Sequence, residues 1–106
     1  MLDAIGRIRR YTVGLSFSEF QSDRKTVDAV LYNFAVIGEA ARHVPLEIES
    51  AYPLDPLSDM RAMRNVIIHD YPGVDLRVVW DTVMGDLPAL VPILDSILDN
   101  APDTDA

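Results

Sequence analysis

Helical spacing of apolar residues over the longest segment without a proline constrains the fold of this chain most. Between Asp23 and Pro45, the residues that fall within one arc of a helical wheel are Val27, Val30, Leu31, Phe34, Ile37, Gly38 and Ala41. The opposite arc carries Asp28, Tyr32, Glu39 and His43. Strand-like alternation does not persist anywhere in the sequence. We therefore predict a long helix over about residues 23–44, ended by Pro45, in an all-helical fold.

Further helices are predicted by the same spacing and by chain breakers. We expect a first helix over residues 1–14, a short turn over 19–22 anchored by Phe17 and Phe20, and a short helix over 46–52. Ser58 is the expected N-cap of a helix over about 59–70. The last helix should cover about residues 75–98, and Pro88 and Pro92 should kink or split it. The sequence thus predicts one all-α domain, a four- to five-helix up-and-down bundle over residues 1–99, with a disordered acidic tail at 100–106.

Composition excludes several classes of function. The chain has 106 residues, no cysteine and a formal net charge of −8. Thiol catalysis and disulfides are excluded, and no apolar run approaches the ~20 residues of a membrane span. The acidic balance argues against a broad basic surface for nucleic acid, although a local basic cleft remains compatible with it. We expect a cytoplasmic protein that does not enter a membrane.

The segment Arg64–Tyr71 carries the residues best suited to chemistry. Only two histidines are present, and one of them, His69, follows Arg64 by five positions near a helix end. Arg64 falls inside the apolar arc of this helix, whereas His69 lies on a polar stripe. A guanidinium there needs an acid, carbonyls or a bound anion. A structural interpretation stays open, in which Arg64 pairs with Glu39 or Asp28 and His69 favours the helix dipole. The alternative is a site that cleaves RNA without a metal, with a proton carrier beside a fixed cation.

The motif resembles the signature of the HepT-like ribonucleases, a branch of the HEPN superfamily. Its pattern is an Arg, a polar residue, three further residues, His, any residue and Tyr. The resemblance extends over about residues 5–95, through segments at 20–24, 37–42, 63–71, 79–80 and 86–88. One departure is Leu57, because family members often carry Trp after the preceding proline.

The resemblance implies a HEPN-type bundle that forms a homodimer, with motif residues of both subunits lining one cleft. It implies a metal-independent endoribonuclease toxin of a type II or type VII-like toxin–antitoxin pair, acting on RNA, with tRNA as one candidate. Catalysis would fall to Arg64 and His69, with Asn65 and Asp70 in support. The partner would be a nucleotidyltransferase antitoxin that transfers AMP to Tyr71. We expect no cofactor and no metal.

Other interpretations remain open at this point. The chain could be a non-catalytic helical adaptor, or the antitoxin side of the pair, that binds a nucleotidyltransferase through Arg64 and Tyr71. It could also be a purely structural dimerisation bundle. Glu39 and His43 share a helix face but lack the further ligands of a metal site. Trp80 is expected in the core, and a cluster of arginines at positions 7, 9 and 10 is expected on a solvated face.

Overall fold

A computed structural model describes residues 1–51 and 56–100, and the regular structure in these ranges is helical. The α-helices are α1 (Leu2–Thr12), α2 (Phe17–Ser22), α3 (Arg24–Ala41), α4 (Leu46–Glu49), α5 (Leu57–His69), α6 (Leu76–Asp81) and α7 (Leu87–Asn100). A 3₁₀ turn, Tyr71–Gly73, follows α5, and a π-helical segment, Thr82–Asp86, joins α6 to α7. The prediction of an all-α bundle is confirmed.

Helix α3 is the centre of the bundle and contacts α1, α2 and α5. It begins after Asp23, whose carboxylate accepts a hydrogen bond from the backbone N–H of Thr26 at 3.2 Å. All seven residues of the predicted apolar arc are buried. Burial of this arc against several helices stabilises the fold through the hydrophobic effect. The helix ends at Ala41, three residues before the predicted end.

The segment after α1 is a capped helix where the sequence suggested only a turn. The Ser16 side chain accepts the Glu19 N–H, and the Glu19 carboxylate accepts the Ser16 N–H, which forms a reciprocal capping box. Phe20 is completely buried, and its ring centroid lies 5.2 Å from that of Trp80. Trp80 is 9% exposed, so its predicted place in the core is confirmed.

The motif helix α5 begins earlier than predicted. Ser58 is not its N-cap, because the helix starts at Leu57 and Pro56 occupies the capping position without a side-chain hydrogen bond. Leu57 is fully buried, and this apolar anchor draws the first turn back past Ser58. Leu57 therefore fills the core at the position that follows Pro56.

The short helix α4 is clamped to α5 by a two-pronged ion pair. Arg61 reaches both carboxylate oxygens of Glu49, at 2.7 and 2.8 Å, and also the carbonyl of Ala41 at 3.2 Å. This fork geometry is the strong form of an arginine–carboxylate pair. The end of the predicted short helix, at Tyr52, lies outside the described residues.

The last predicted helix is divided in the π-helical segment just before Pro88. The N–H of Leu87 bonds the carbonyl of Thr82, five residues back, and Pro88 then falls in the first turn of α7. This five-residue bond interrupts the regular i→i−4 ladder directly before the proline, whose nitrogen cannot donate. Pro92 lies inside α7. Of the predicted tail, residues 101–106 lie outside the described part of the chain.

Candidate active site

Arg64 lies at a close contact between α3 and α5. Gly38 of α3 faces the Arg64 side-chain stem and the Met60 carbonyl, and a Cβ built on Gly38 would lie only 2.6 Å from that carbonyl oxygen. Only glycine permits this approach, because any side chain would push the helices apart. The backbone contact thus fixes the position of the Arg64 stem relative to α3.

Among the described residues, the guanidinium of Arg64 has two polar contacts, and it remains partly open to solvent. Its Nη2 lies 3.3 Å from Oε2 of Glu39, and its Nη1 donates a hydrogen bond to Oδ1 of Asn65 at 3.1 Å. The side chain is 22% exposed. Of the two acids that the sequence left open as partners, Glu39 is the one observed. A guanidinium has five N–H donors, so others remain for an incoming anion.

Glu39 is shared among three basic side chains. Its carboxylate contacts Arg42 Nη1 at 3.0 Å, Arg64 Nη2 at 3.3 Å and His43 Nε2 at 3.6 Å. The hydrogen bond from Arg42 is the main cause that lowers the pKa of Glu39, and the charges of Arg42 and Arg64 add to it. One carboxylate facing two guanidinium groups leaves a local excess of positive charge, in a chain that is acidic overall.

An open groove of about 460 Å³ lies beside Arg64, between α3 and α5. Its lining combines the Arg64, Glu39 and His43 side chains with largely apolar ones. The apolar part consists of Tyr32, Ala35, Val36, Ala40 and Ile68. Tyr32 is 67% exposed and Ile68 53%. The groove can therefore offer a cation for a phosphate and apolar surface for a base or for another protein chain.

His69 lies at the other end of the motif, in the last turn of α5. It is exposed, and within the described part of the chain its imidazole makes no hydrogen bond or ion pair. The next residue, Asp70, leaves the helical conformation with φ −148° and ψ 55°. Its carboxylate then folds over Gly73, where a larger residue would collide with it. The His69 imidazole is thus accessible, and its position depends on the turn that follows.

The Tyr71 hydroxyl donates a hydrogen bond to the Asp28 carboxylate of α3. Arg24, one turn before Asp28, is ion-paired with it at 3.1 Å and lies 5.6 Å from the centre of the Tyr71 ring. The hydrogen bond to Asp28 is the main cause that raises the pKa of Tyr71, because the negative carboxylate favours the protonated phenol. The sequence did not predict this pairing, although Arg24 and Asp28 stand four apart on the polar arc of α3.

The structure brings Arg64 together with Glu39 and Asn65, but it does not bring Arg64 to His69. The two residues are five positions apart on one helix, so their side chains leave the axis about 140° apart. Asn65 contacts Arg64 and makes no described contact with His69. A single chain therefore presents the cation and the imidazole on different sides of α5.

A second groove, of about 510 Å³, lies on another side of α5 and has the opposite electrostatic character. Its polar rim includes Asp59, Asp75 and Asp86, and no Lys, Arg or His lines it. Carboxylates repel phosphate, so this larger groove is unsuited to RNA. The arginines at positions 7, 9 and 10 are exposed on α1, as predicted.

No helix in the described ranges is long and apolar enough to cross a membrane. No solved structure matches the chain significantly.

Comparison with known proteins shows which protein family the chain belongs to. The sequence model of the family described as "Ribonuclease HepT-like" matches residues 1–97. A Thermococcus cleftensis protein named "Probable ribonuclease HepT" is 40% identical over 88 residues, which cover 83% of this chain and 80% of that protein. A Methanocaldococcus jannaschii protein, named as a candidate RNase, is 32% identical over 98 residues, 92% of this chain and 81% of that protein. The chain belongs to the HepT-like ribonuclease family.

Proposed function

We propose that the chain is a ribonuclease toxin that cleaves RNA without a metal, at a site shared by two subunits. The observation that carries this proposal is that the Arg64 side chain is both held in place and partly exposed. Its guanidinium is held in place by Gly38, Glu39 and Asn65, yet it keeps exposed donors beside a groove. The names of the relatives, ribonucleases by description, support an activity on RNA. tRNA is one candidate substrate.

The chemistry would be an attack within the RNA strand. The His69 imidazole of one subunit takes the proton of a ribose 2′-hydroxyl, whose oxygen attacks the adjacent phosphorus. Arg64 stabilises the extra negative charge of the phosphorane through parallel N–H bonds, which lysine cannot reproduce. The His69 of the second subunit, protonated as an imidazolium, donates its proton to the departing 5′-oxygen, so one imidazole gains a proton and the other loses one. The products are a 2′,3′-cyclic phosphate and a free 5′-hydroxyl.

A homodimer would supply what one chain lacks. Because Arg64 and His69 leave α5 in directions about 140° apart, one chain cannot readily direct both at the same phosphate. The apolar side chains of the groove lie next to Arg64 and are largely exposed in the single chain, Tyr32 at 67% and Ile68 at 53%. Burial of these side chains against a second copy would hold the two motif helices side by side.

Control of the toxin would fall to a nucleotidyltransferase antitoxin, as in a type II or type VII-like pair. The phenol oxygen of Tyr71 attacks the α-phosphorus of ATP, pyrophosphate leaves, and the phenol proton is released. Tyr71 is 36% exposed, and this exposure supports access by another protein. The AMP group would block the cleft by its bulk and its negative charge.

The test is an RNA cleavage assay with purified protein in excess EDTA. His69→Ala and Arg64→Ala should each lower the rate by about 10²- to 10⁴-fold, the range for loss of a proton carrier or a charge stabiliser. The chain offers a matched control in Arg77→Ala, an exposed arginine on α6 that pairs with Asp81 and not with Glu39. This control should retain activity within a few-fold.

Two outcomes would contradict the proposal. Full cleavage by a folded His69→Ala or Arg64→Ala protein would remove the motif from the mechanism. A wild-type protein that binds RNA or a nucleotidyltransferase but leaves RNA intact would favour the adaptor instead. Intact mass of the protein after incubation with its nucleotidyltransferase and ATP tests the modification, since Tyr71→Phe should abolish the gain of AMP.

A further inference from the structure

Three side chains join the turn after the motif helix to α3. The Tyr71 hydroxyl donates to the Asp28 carboxylate, Arg24 Nε lies 3.1 Å from that carboxylate, and the Arg24 guanidinium lies 5.6 Å from the Tyr71 ring centre. Arg24 and Asp28 are one helical turn apart on α3, so their geometry is fixed by that helix. We call this group the Tyr71 latch: Arg24, Asp28 and Tyr71.

The latch lies where the chain has little else to hold it. Asp70 has left the helical conformation, and Tyr71–Gly73 is a single 3₁₀ turn without buried residues. Two backbone bonds close this turn: Gly73 N–H to the Asp70 carbonyl at 2.9 Å, and Val74 N–H to the Tyr71 carbonyl at 3.4 Å. In the described part of the chain, Tyr71 provides the one side-chain hydrogen bond from this turn to α3.

The Tyr71 latch also restrains the position of His69. The imidazole stands two residues before Tyr71 and has no side-chain partner among the described residues. Its position is therefore set by the last turn of α5 and by the direction that the chain takes after it. A tether at Tyr71 restrains that direction.

We infer that Asp28 is a positioning residue for the nuclease site, which acts through Tyr71 on the placement of His69. The inference rests on the proposed function for its effect on catalysis. Asp28 touches no reacting atom. It accepts the Tyr71 hydrogen bond, and Arg24 keeps its carboxylate oriented for that bond.

The latch gives modification of Tyr71 a second consequence beyond blocking the cleft. An AMP group on the phenol oxygen replaces the hydrogen that Asp28 accepts and brings a phosphodiester charge next to a carboxylate. The bond is lost and two negative charges repel, so the turn is released from α3. Silencing then includes displacement of His69.

The test is a double-mutant cycle on RNA cleavage with Asp28→Ala, Tyr71→Phe and the double variant. Each single change should lower kcat by about five- to tenfold with little change in KM, because one hydrogen bond is lost. The double variant should be no slower than either single one, since both changes remove the same bond. Asp28→Asn keeps an acceptor oxygen and should recover most of the activity.

Asp81→Ala is the matched control. Asp81 pairs with Arg77 at 3.5 Å, also at i, i+4 spacing on an exposed helix face, but it has no tyrosine partner in the described residues. Its loss should leave kcat unchanged. A purely electrostatic or helix-stabilising role of Asp28 predicts equal effects of the two changes.

Amide hydrogen exchange provides a measurement that does not depend on nuclease activity. Asp28→Ala should accelerate exchange at Gly73 and Val74 by about five- to tenfold, and Asp28→Asn and Asp81→Ala should not. Unchanged exchange in Asp28→Ala, or strictly multiplicative losses of kcat in the double variant, would overturn the inference. If the wild-type protein cleaved no RNA, the proposed function would fail, but the exchange result would still decide whether the latch exists.

Discussion

The two ends of the Arg64–Tyr71 motif are built in different ways. The Arg64 end is packed against Gly38 and held by Glu39 and Asn65, with 22% of the arginine side chain exposed. The His69 end is exposed and is followed by a short turn. The first end is fixed by close helix packing, and the second by a tether at the surface.

This difference indicates how a ribonuclease of this family could be both preorganised and controlled. A charge stabiliser works best when it is preorganised, because no reorganisation is then needed at the moment of reaction. In the single chain, the Arg64 guanidinium is already held in place by its neighbours. The imidazole is exposed and less restrained, so under the proposed function a second subunit or a modification at Tyr71 would decide whether it is placed correctly.

The largest expected effect concerns the packed end. Arg64→Lys keeps the charge but loses the planar fork, so it should lower kcat for RNA by about a hundredfold. The melting temperature should change by only a few degrees. Steady-state kinetics and calorimetry on the same preparation check both. Near-normal activity of the lysine variant would mean that Arg64 contributes only a point charge.

A pair of glycine substitutions compares the two ends directly. Gly38→Ala forces a Cβ against the Met60 carbonyl and should cost about 1–3 kcal/mol of unfolding free energy by overpacking. Gly73→Ala meets only the Asp70 carboxylate, which can rotate away, and should cost less than about 1 kcal/mol.

Urea denaturation measures these values, and Gly85→Ala is the control. A Cβ at Gly85 meets nothing within 4 Å. Equal losses at Gly38 and Gly73 would contradict the distinction between a packed end and a tethered end.

The smallest expected effect is the acid response of Glu39. The pKa of Glu39 is lowered in the folded protein. Its ion pairs therefore stabilise the fold at every pH above the ordinary pKa of a glutamate. That contribution is lost as the pH falls through the lowered pKa. The melting temperature of wild type should therefore exceed that of Glu39→Gln near neutral pH, and the two should converge once the pH has fallen below that lowered pKa.

The matched control for this comparison is Glu47→Gln. Glu47 lies on α4 and has no cationic partner among the described residues. A difference for Glu39→Gln that persisted unchanged into acid would show that the side chain acts by packing and not by charge.

The sequence was sufficient to predict the helices whose apolar faces are buried. The arc from Val27 to Ala41 follows from periodicity alone, because one side of α3 faces the core. Ser58 was a wrong prediction of an N-cap. A serine before a helical pattern is only a local signal, and burial of Leu57 overrides it by starting the helix one residue before Ser58.

The candidate residues of the site could be predicted from the sequence, but the contacts between them could not. The position of Arg64 on the apolar face required a partner, yet the sequence could not choose between Glu39 and Asp28. That choice depends on the register of α5 on α3, which Gly38 fixes through a backbone contact. The bond between Tyr71 and Asp28 depends on the direction of the chain after Asp70, which local patterns do not encode.

The central claim is that two subunits share one catalytic cleft, and mixed dimers test it most directly. Wild-type and His69→Ala chains, refolded together in equal amounts, should retain about a quarter of the wild-type activity if both imidazoles of a dimer are needed. Activity should then fall with the square of the wild-type fraction across a series of mixtures. Retention of about half, with a linear dependence on that fraction, would show that each chain works alone and would contradict the account.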